Sequence, residues 1–268
     1  MNIAFLGGGN MASALIGGLI GKGADAASIS VVEVSAAARE RLAARYPVHI
    51  ASAPDAAARR CEVLVLAVKP QDAKAALASL RAGDQLVLSI AAGLTIATLS
   101  RWLGGHRRIV RCMPNTPSLV GAGVAALYAL PEVSAEERAK VERVMRAVGE
   151  AVWVGEERLL DPVTAVSASG PAYVFWFIEQ LAACAEKLGV ERETAMKLAL
   201  HTVLGAAKLA AQSDEAPAAL RKNVTSKGGT TEAALKVFED EKLAERFARA
   251  IEAASRRATE LGRELGKD

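Results

Sequence analysis

The sequence predicts an α/β protein, a Rossmann-type doubly wound parallel sheet at the N-terminus followed by an all-α C-terminal domain. Three observations predict it. Short apolar runs alternate with helical patterns through the first half, a glycine-rich turn follows the first run, and runs of strand type stop near Glu156.

The runs are Ile3 to Leu6, Ile29 to Val32, Val63 to Val68, Leu86 to Ile90 and Arg108 to Arg111. A further run over Gly123 to Leu127, a helix over 135–148 and a strand near Ala151 to Val154 extend this domain to 1–156. Helical periodicity then holds through 171–188, 191–212, 230–239 and 241–265, with Pro and Gly at the breaks. The second domain is therefore 157–268. It is rich in alanine, so its helices approach closely but bury modest area per residue, and packing against a second subunit is the expected remedy.

Composition narrows the function classes. At 268 residues the chain exceeds what one core usually holds, ~250 residues, which favours two domains. The net charge of +3 comes from nearly balanced acids and bases without a basic run, so neither nucleic acid nor an anionic membrane is an expected partner. A small-molecule substrate is. Cys61, Cys112 and Cys184 are odd in number and widely spaced, giving neither a disulfide framework nor metal-ligand spacing. His49, His106 and His201 show no metal spacing either, and no metal is expected. The first residues enter a strand at once, without an export signal. The most apolar helical stretch, near Val174 to Ile178, stops at Glu179, far short of the ~18 residues of a membrane span. The expectation is a soluble, cytoplasmic protein.

The first run leads into Gly7-Gly8-Gly9-Asn10-Met11-Ala12, a G-x-G-x-x-A turn opening a helix. Gly7 permits the tight turn, Gly9 lets backbone approach a pyrophosphate, and Ala12 allows close helix–strand contact; the helix N-terminus offers free N–H groups to phosphates. Glu33 stands at the end of the second strand, where an acidic residue normally receives the adenosine ribose hydroxyls. Its charge favours NADH, whereas Ser35 and Arg39 stand close enough in sequence to serve the 2′-phosphate of NADPH.

Ala67-Val68-Lys69-Pro70 and Ala91-Ala92-Gly93 follow two further strands, on the side where open sheets bind ligands. Lys69 faces either cofactor or solvent. Asn115, in a loop held by Pro114 and Pro117, offers a carboxamide to the nicotinamide end or belongs to a simple structural turn. Ser167 to Tyr173 provides a tight bend before a helix, with Pro171 suited to its first turn. In the second domain, Asn223 to Glu232 joins paired glycines and hydroxyls to a helix start. That pattern suits a carboxylate-binding nest, and equally a plain helix cap by Thr230 or Thr231.

Taken together, Gly7 to Ala12, Ala67 to Pro70, Ala91 to Gly93, Met113 to Pro117, Ser169 to Tyr173 and Val224 to Thr231 resemble pyrroline-5-carboxylate reductase along nearly the whole chain. The last segment is the most specific; the glycine turn is shared by many dehydrogenases. The resemblance implies NADPH- or NADH-dependent reduction of 1-pyrroline-5-carboxylate to L-proline, the last step of proline biosynthesis. It implies a homodimer with shared active sites, assembled in many relatives into a ring. It further implies that Gly7, Gly8, Gly9, Asn10, Met11, Ser35, Ala67, Val68, Lys69, Pro70 and Asn115 face the dinucleotide, with Glu33 and Ala92 beside them and Asn223 approaching from the helical domain. Ser226, Gly229, Thr230 and Thr231 would hold substrate carboxylate and ring nitrogen, with Glu157 near the substrate. Thr231 is the expected catalytic residue, orienting the ring rather than supplying its proton. A β-hydroxyacid reductase on the same plan would carry a lysine on the first long C-terminal helix, and 171–186 contains none.

Overall fold

A computed structural model describes residues 1–80 and 83–266. The N-terminal part runs β1 (Ile3–Leu6), α1 (Asn10–Gly21), β2 (Ile29–Val32), α2 (Ala36–Arg45), β3 (His49–Ala51), α3 (Ala56–Arg59), β4 (Val63–Leu66), α4 (Ala73–Leu80), β5 (Leu86–Ser89) and α5 (Ile96–Trp102). It continues with β6 (Ile109–Met113), β7 (Gly123–Ala129), α6 (Ala135–Met145), β8 (Gly149–Trp153) and α7 (Leu160–Val163). The strands form one sheet in the order β3-β2-β1-β4-β5-β6-β7-β8.

Four strands, β1, β2, β4 and β5, are buried at every position, which is why β1 and β4 read as unbroken apolar runs and β2 and β5 carry one small serine each, Ser30 and Ser89. Successive side chains alternate between two cores. Phe5, Leu15, Ile16, Val31, Leu88 and Val141 fill one face; Leu6, Leu64, Leu66, Leu77, Leu94 and Leu99 fill the other. Two features depart from the sequence reading. The edge strand β3 is short and only partly buried, so it lacks the apolar run that marks the others. The sheet is also not wholly parallel: β7 lies antiparallel to β6, because the 114–122 connection is too short for the helical crossover that parallel neighbours require.

The chain divides into two compact units, one of Met1–Ser169 with the chain from Ala253 onward, the other Gly170–Glu252. Segment 157–169 belongs with the sheet because Leu160 and Ala165 are fully buried and Arg111 pairs with Glu157.

The remaining helices are α8 (Gly170–Lys187), α9 (Arg192–Gln212), α10 (Pro217–Asn223), α11 (Thr230–Asp240) and α12 (Leu243–Leu265), α12 lying in the first unit from Ala253 onward. In the second unit α8 packs on α9, and among the described residues only Ala182, Ala195 and Ala199 are buried there. Phe175, Trp176, Phe177, Leu198, Leu204 and Phe238 stay exposed. Such a unit lacks a core of its own size. No helix among the described residues is long and apolar enough to cross a membrane.

Candidate active site

Strand register places the expected cofactor segments side by side. Leu6 pairs with both Val32 and Leu66, Leu66 pairs with Ser89, and Ser89 pairs with Arg111, so the chain leaves β1, β2, β4, β5 and β6 along one edge. Residues 7–11, 33–35, 67–70 and 90–93 therefore form one crest at the carboxyl ends of the parallel strands. The order reverses between β1 and β4, the switch point at which such sheets bind ligands.

The glycine turn fits a dinucleotide. Gly7 has φ +97°, and a Cβ there would fall 2.6 Å from the Ala67 carbonyl oxygen, so only glycine lets β1 turn beside β4. Gly8 is packed on Leu42, whereas nothing lies within 4 Å of a Cβ position on Gly9. Gly9 is also the N-cap of α1 and brings no side chain to it, which leaves the N–H groups of Asn10 and Met11 without a side-chain cap. Ala12 is buried as the close helix–strand contact demands.

Glu33 closes this turn from the neighbouring strand. Gly8 N–H donates to its Oε2 at 2.7 Å, and Ser35 N–H donates to its Oε1 at 2.8 Å. The carboxylate thus holds the turn as well as lying where a ribose would arrive. Ser35 is the N-cap of α2, its Oγ accepting from Ala38 N–H, and Arg39 donates from Nη1 to the carbonyls of Glu33 and Val34. All the groups proposed to read the 2′ position gather at the end of β2.

Further along the crest, Lys69 and Ala92 are exposed, with Ala67, Val68 and Pro70 half-buried between them. Asn115 stands differently from expectation. It is buried, its Nδ2 donating to the Ser167 carbonyl at 3.1 Å and its Oδ1 accepting from Val124 N–H at 2.9 Å, so its carboxamide serves the fold. Glu157 is also engaged: its Oε1 accepts from Ile96 N–H at 2.7 Å and from Arg111 Nη1 at 3.1 Å. Sequence reasoning treated Arg111 as the end of a strand. A charge inside an apolar run was the available signal, since a buried arginine requires an acidic partner.

In the helical unit, α10 ends at Asn223, whose Nδ2 donates to Glu215 Oε2 at 2.9 Å. The loop then turns through Gly228, φ +73°, to α11. The two glycine N–H groups are already satisfied, Gly228 by Glu232 Oε2 at 2.6 Å and Gly229 by the Ser226 carbonyl at 3.0 Å. Neither glycine N–H is therefore free to form a carboxylate-binding nest. Gly229 is the N-cap and carries no capping side chain, with Thr230 and Thr231 as the first two helical residues. A Cβ on Gly229 would meet Ser226 Oγ at 2.4 Å, so glycine brings that hydroxyl against the helix start. Neither threonine caps the helix, and the half-buried Thr231 hydroxyl has no partner among the described residues.

Fold and crest together define a two-domain, dinucleotide-dependent oxidoreductase with a helical C-terminal half. Two family models match, "NADP oxidoreductase coenzyme F420-dependent" over residues 2–93 and "Pyrroline-5-carboxylate reductase dimerisation" over 157–261. The chain is 45% identical to the pyrroline-5-carboxylate reductase of Pseudomonas aeruginosa, covering 99% of this chain and 98% of that one. Among solved structures, the Coxiella burnetii pyrroline-5-carboxylate reductase matches with TM-score 0.93 at 42% identity, over 97% of this chain and 98% of that one. The Plasmodium falciparum pyrroline carboxylate reductase, solved with NADP bound, matches with TM-score 0.84 at 30% identity over 98% of each. The chain belongs to the pyrroline-5-carboxylate reductase family and carries that family's dimerisation domain.

Proposed function

We propose that this protein reduces 1-pyrroline-5-carboxylate to L-proline with NADPH or NADH, the final step of proline biosynthesis. The observation that carries the cofactor half is the crest built by strand register, with an uncapped α1 N-terminus open at Gly9. Gly7 to Met11 hold the pyrophosphate, Glu33 and Ser35 meet the adenosine ribose, and Ala67 to Pro70 with Ala92 line the nicotinamide side. Asn115 contributes through the backbone of its loop, its side chain being committed to Ser167 and Val124. Asn223, already bonded to Glu215, orders the loop of the helical half.

The bound dinucleotide supplies a hydride. The chain's own task is positioning, since holding an acceptor carbon at a reacting distance of ~3–3.5 Å removes most of the entropic barrier. Ser226, Thr230 and the first N–H groups of α11 receive the substrate carboxylate, where the helix dipole favours an anion, and Gly229 serves by letting the Ser226 hydroxyl lie against the helix start. The Thr231 hydroxyl, without an internal partner, orients the ring nitrogen of the iminium. A threonine is too weak an acid to protonate that nitrogen unaided. Glu157 acts through its contacts with Ile96 and Arg111.

The exposed aromatic and aliphatic surface of the helical unit is covered by a second copy, and each large apolar side chain so buried stabilises the dimer by about 1.5–3 kcal/mol. Dimers assemble further into a ring, and the enzyme works in the cytoplasm. Oxidation of NADPH and NADH measured side by side with pyrroline-5-carboxylate tests the activity, and no turnover with either cofactor in a folded sample defeats it. Sedimentation tests the assembly; an active monomer would overturn it.

A further inference from the structure

The C-terminal end of α12 is tied to the sheet by a run of polar contacts that ends on the first N–H of α5. Thr259 Oγ1 donates to Asp161 Oδ2 at 2.8 Å, and Asp161 Oδ1 lies 3.9 Å from Arg111 Nη2. Arg111 Nη1 reaches Glu157 Oε1 at 3.1 Å, and the same oxygen accepts from Ile96 N–H at 2.7 Å. Arg111 is only 7% exposed, so its two carboxylate partners are what make its burial tolerable.

The same stretch of helix also touches the β5–α5 loop directly. A Cβ on Gly93, which has φ +79°, would fall 2.8 Å from Leu265 Cδ1; one on Gly262 would fall 3.3 Å from the Gly93 carbonyl oxygen. Arg101 Nη2 donates to the Gly266 carbonyl at 3.1 Å, fixing the far end of α5 to the chain terminus of the described helix. Gly262 lies inside a 23-residue helix, where glycine is less favourable than alanine. Close approach to Gly93 is what it offers in return.

We infer that Thr259 to Gly266 are a latch for the loop 91–95, with Thr259, Asp161 and Gly262 as positioning residues that set how tightly the loop receives the dinucleotide. The latch grips this loop from two sides. The polar run holds its exit at Ile96, and the Gly262–Gly93 contact holds its middle. Ala92, the exposed member of the loop, adjoins the Gly93 contact and is presented to the cofactor there. The inference rests on the proposal that Ala92 faces the dinucleotide.

The test is the dissociation constant of the reduced dinucleotide, read by fluorescence titration of the full dimer without substrate, together with Tm and sedimentation. Thr259→Val keeps the side-chain shape and removes the hydroxyl; Gly262→Leu forces the helix off Gly93. Each should weaken dinucleotide binding fivefold or more while the dimer persists, and Thr259→Ser should restore wild-type binding. Thr259→Val guards against Gly262→Leu failing to fold. Wild-type affinity in folded Thr259→Val, or a loss that Thr259→Ser does not recover, overturns the latch. A wild-type protein that binds dinucleotide but does not reduce pyrroline-5-carboxylate would defeat the proposed function and leave the latch standing on its own binding data.

Discussion

Asn115 donates from Nδ2 to the Ser167 carbonyl at 3.1 Å, and the residue four positions beyond Ser167, which would ordinarily donate there in a helix, is Pro171. The carboxamide replaces the N–H that proline lacks. It thereby supports the wide π-type turn of Thr164–Ala168, closed by Ser169 N–H on the Thr164 carbonyl, through which the chain enters α8.

Asn115→Ala should therefore act on stability first. It strips partners from two backbone groups, Ser167 C=O and Val124 N–H, each costing about 1–3 kcal/mol when left buried and unmade. In a chain of this size, 1 kcal/mol moves Tm by roughly 2–4 °C, so a loss of about 2–6 kcal/mol should lower Tm by roughly 4 °C or more in thermal unfolding. An unchanged Tm would show the carboxamide to be spare.

Glu33→Gln should shift preference toward NADPH. The amide oxygen can still accept from one of the Gly8 and Ser35 N–H groups, so the turn survives, while the charge opposing a 2′-phosphate is gone. The ratio of kcat/KM for NADPH to that for NADH should rise about tenfold, a difference of ~1.4 kcal/mol. An unaltered ratio would mean that Glu33 does not read the 2′ position.

Thr231→Ala should lower turnover without lowering Tm. Since Gly229 is the N-cap, the substitution removes no cap, and stability should stay within about 0.5 kcal/mol. Losing one orienting hydrogen bond, worth about 0.5–1.5 kcal/mol, predicts a rate loss near tenfold with dinucleotide affinity unchanged. Wild-type kcat and KM in the alanine variant would remove Thr231 from the site.

Acid stability carries a signature of the α6 start. Burial disfavours the charge of Glu137, but Ser134 N–H, donating at 2.8 Å, and Arg108 Nε at 2.5 Å outweigh it and hold the carboxyl below its ordinary value. A depressed folded value means that its stabilisation is complete above the unfolded pKa, roughly 4.3, and is lost as pH falls through the folded one. Glu137→Gln should thus unfold several degrees below wild type at pH 7, and the two melting curves should converge as pH falls through the folded value. A gap that persists in acid would assign the loss to packing instead.

Much of the nucleotide half was legible because its signals are local. Gly7 to Ala12 and Glu33 lie within one βαβ unit, so spacing along the chain is spacing in the fold. Strand β3 escaped because an edge strand buries too little to require an apolar run. Asn115 reads locally as either a nicotinamide contact or a structural turn, and Glu157 is placed near the substrate by family likeness; the partners Ser167 and Ile96 lie 52 and 61 residues away. No local pattern reports such pairings.

What the sequence by itself determined is the class of fold, the family and the dinucleotide turn, since periodicity, glycine placement and short motifs act over a few residues. What only the tertiary structure decided is which polar groups are still free to meet a ligand. The Gly228 N–H, the Asn115 carboxamide and the Glu157 Oε1 all have partners, whereas the Thr231 hydroxyl and the α1 N-terminus do not find one among the described residues. The physical reason is that a buried polar group must be satisfied wherever the fold supplies a partner, and that partner is chosen by proximity in space.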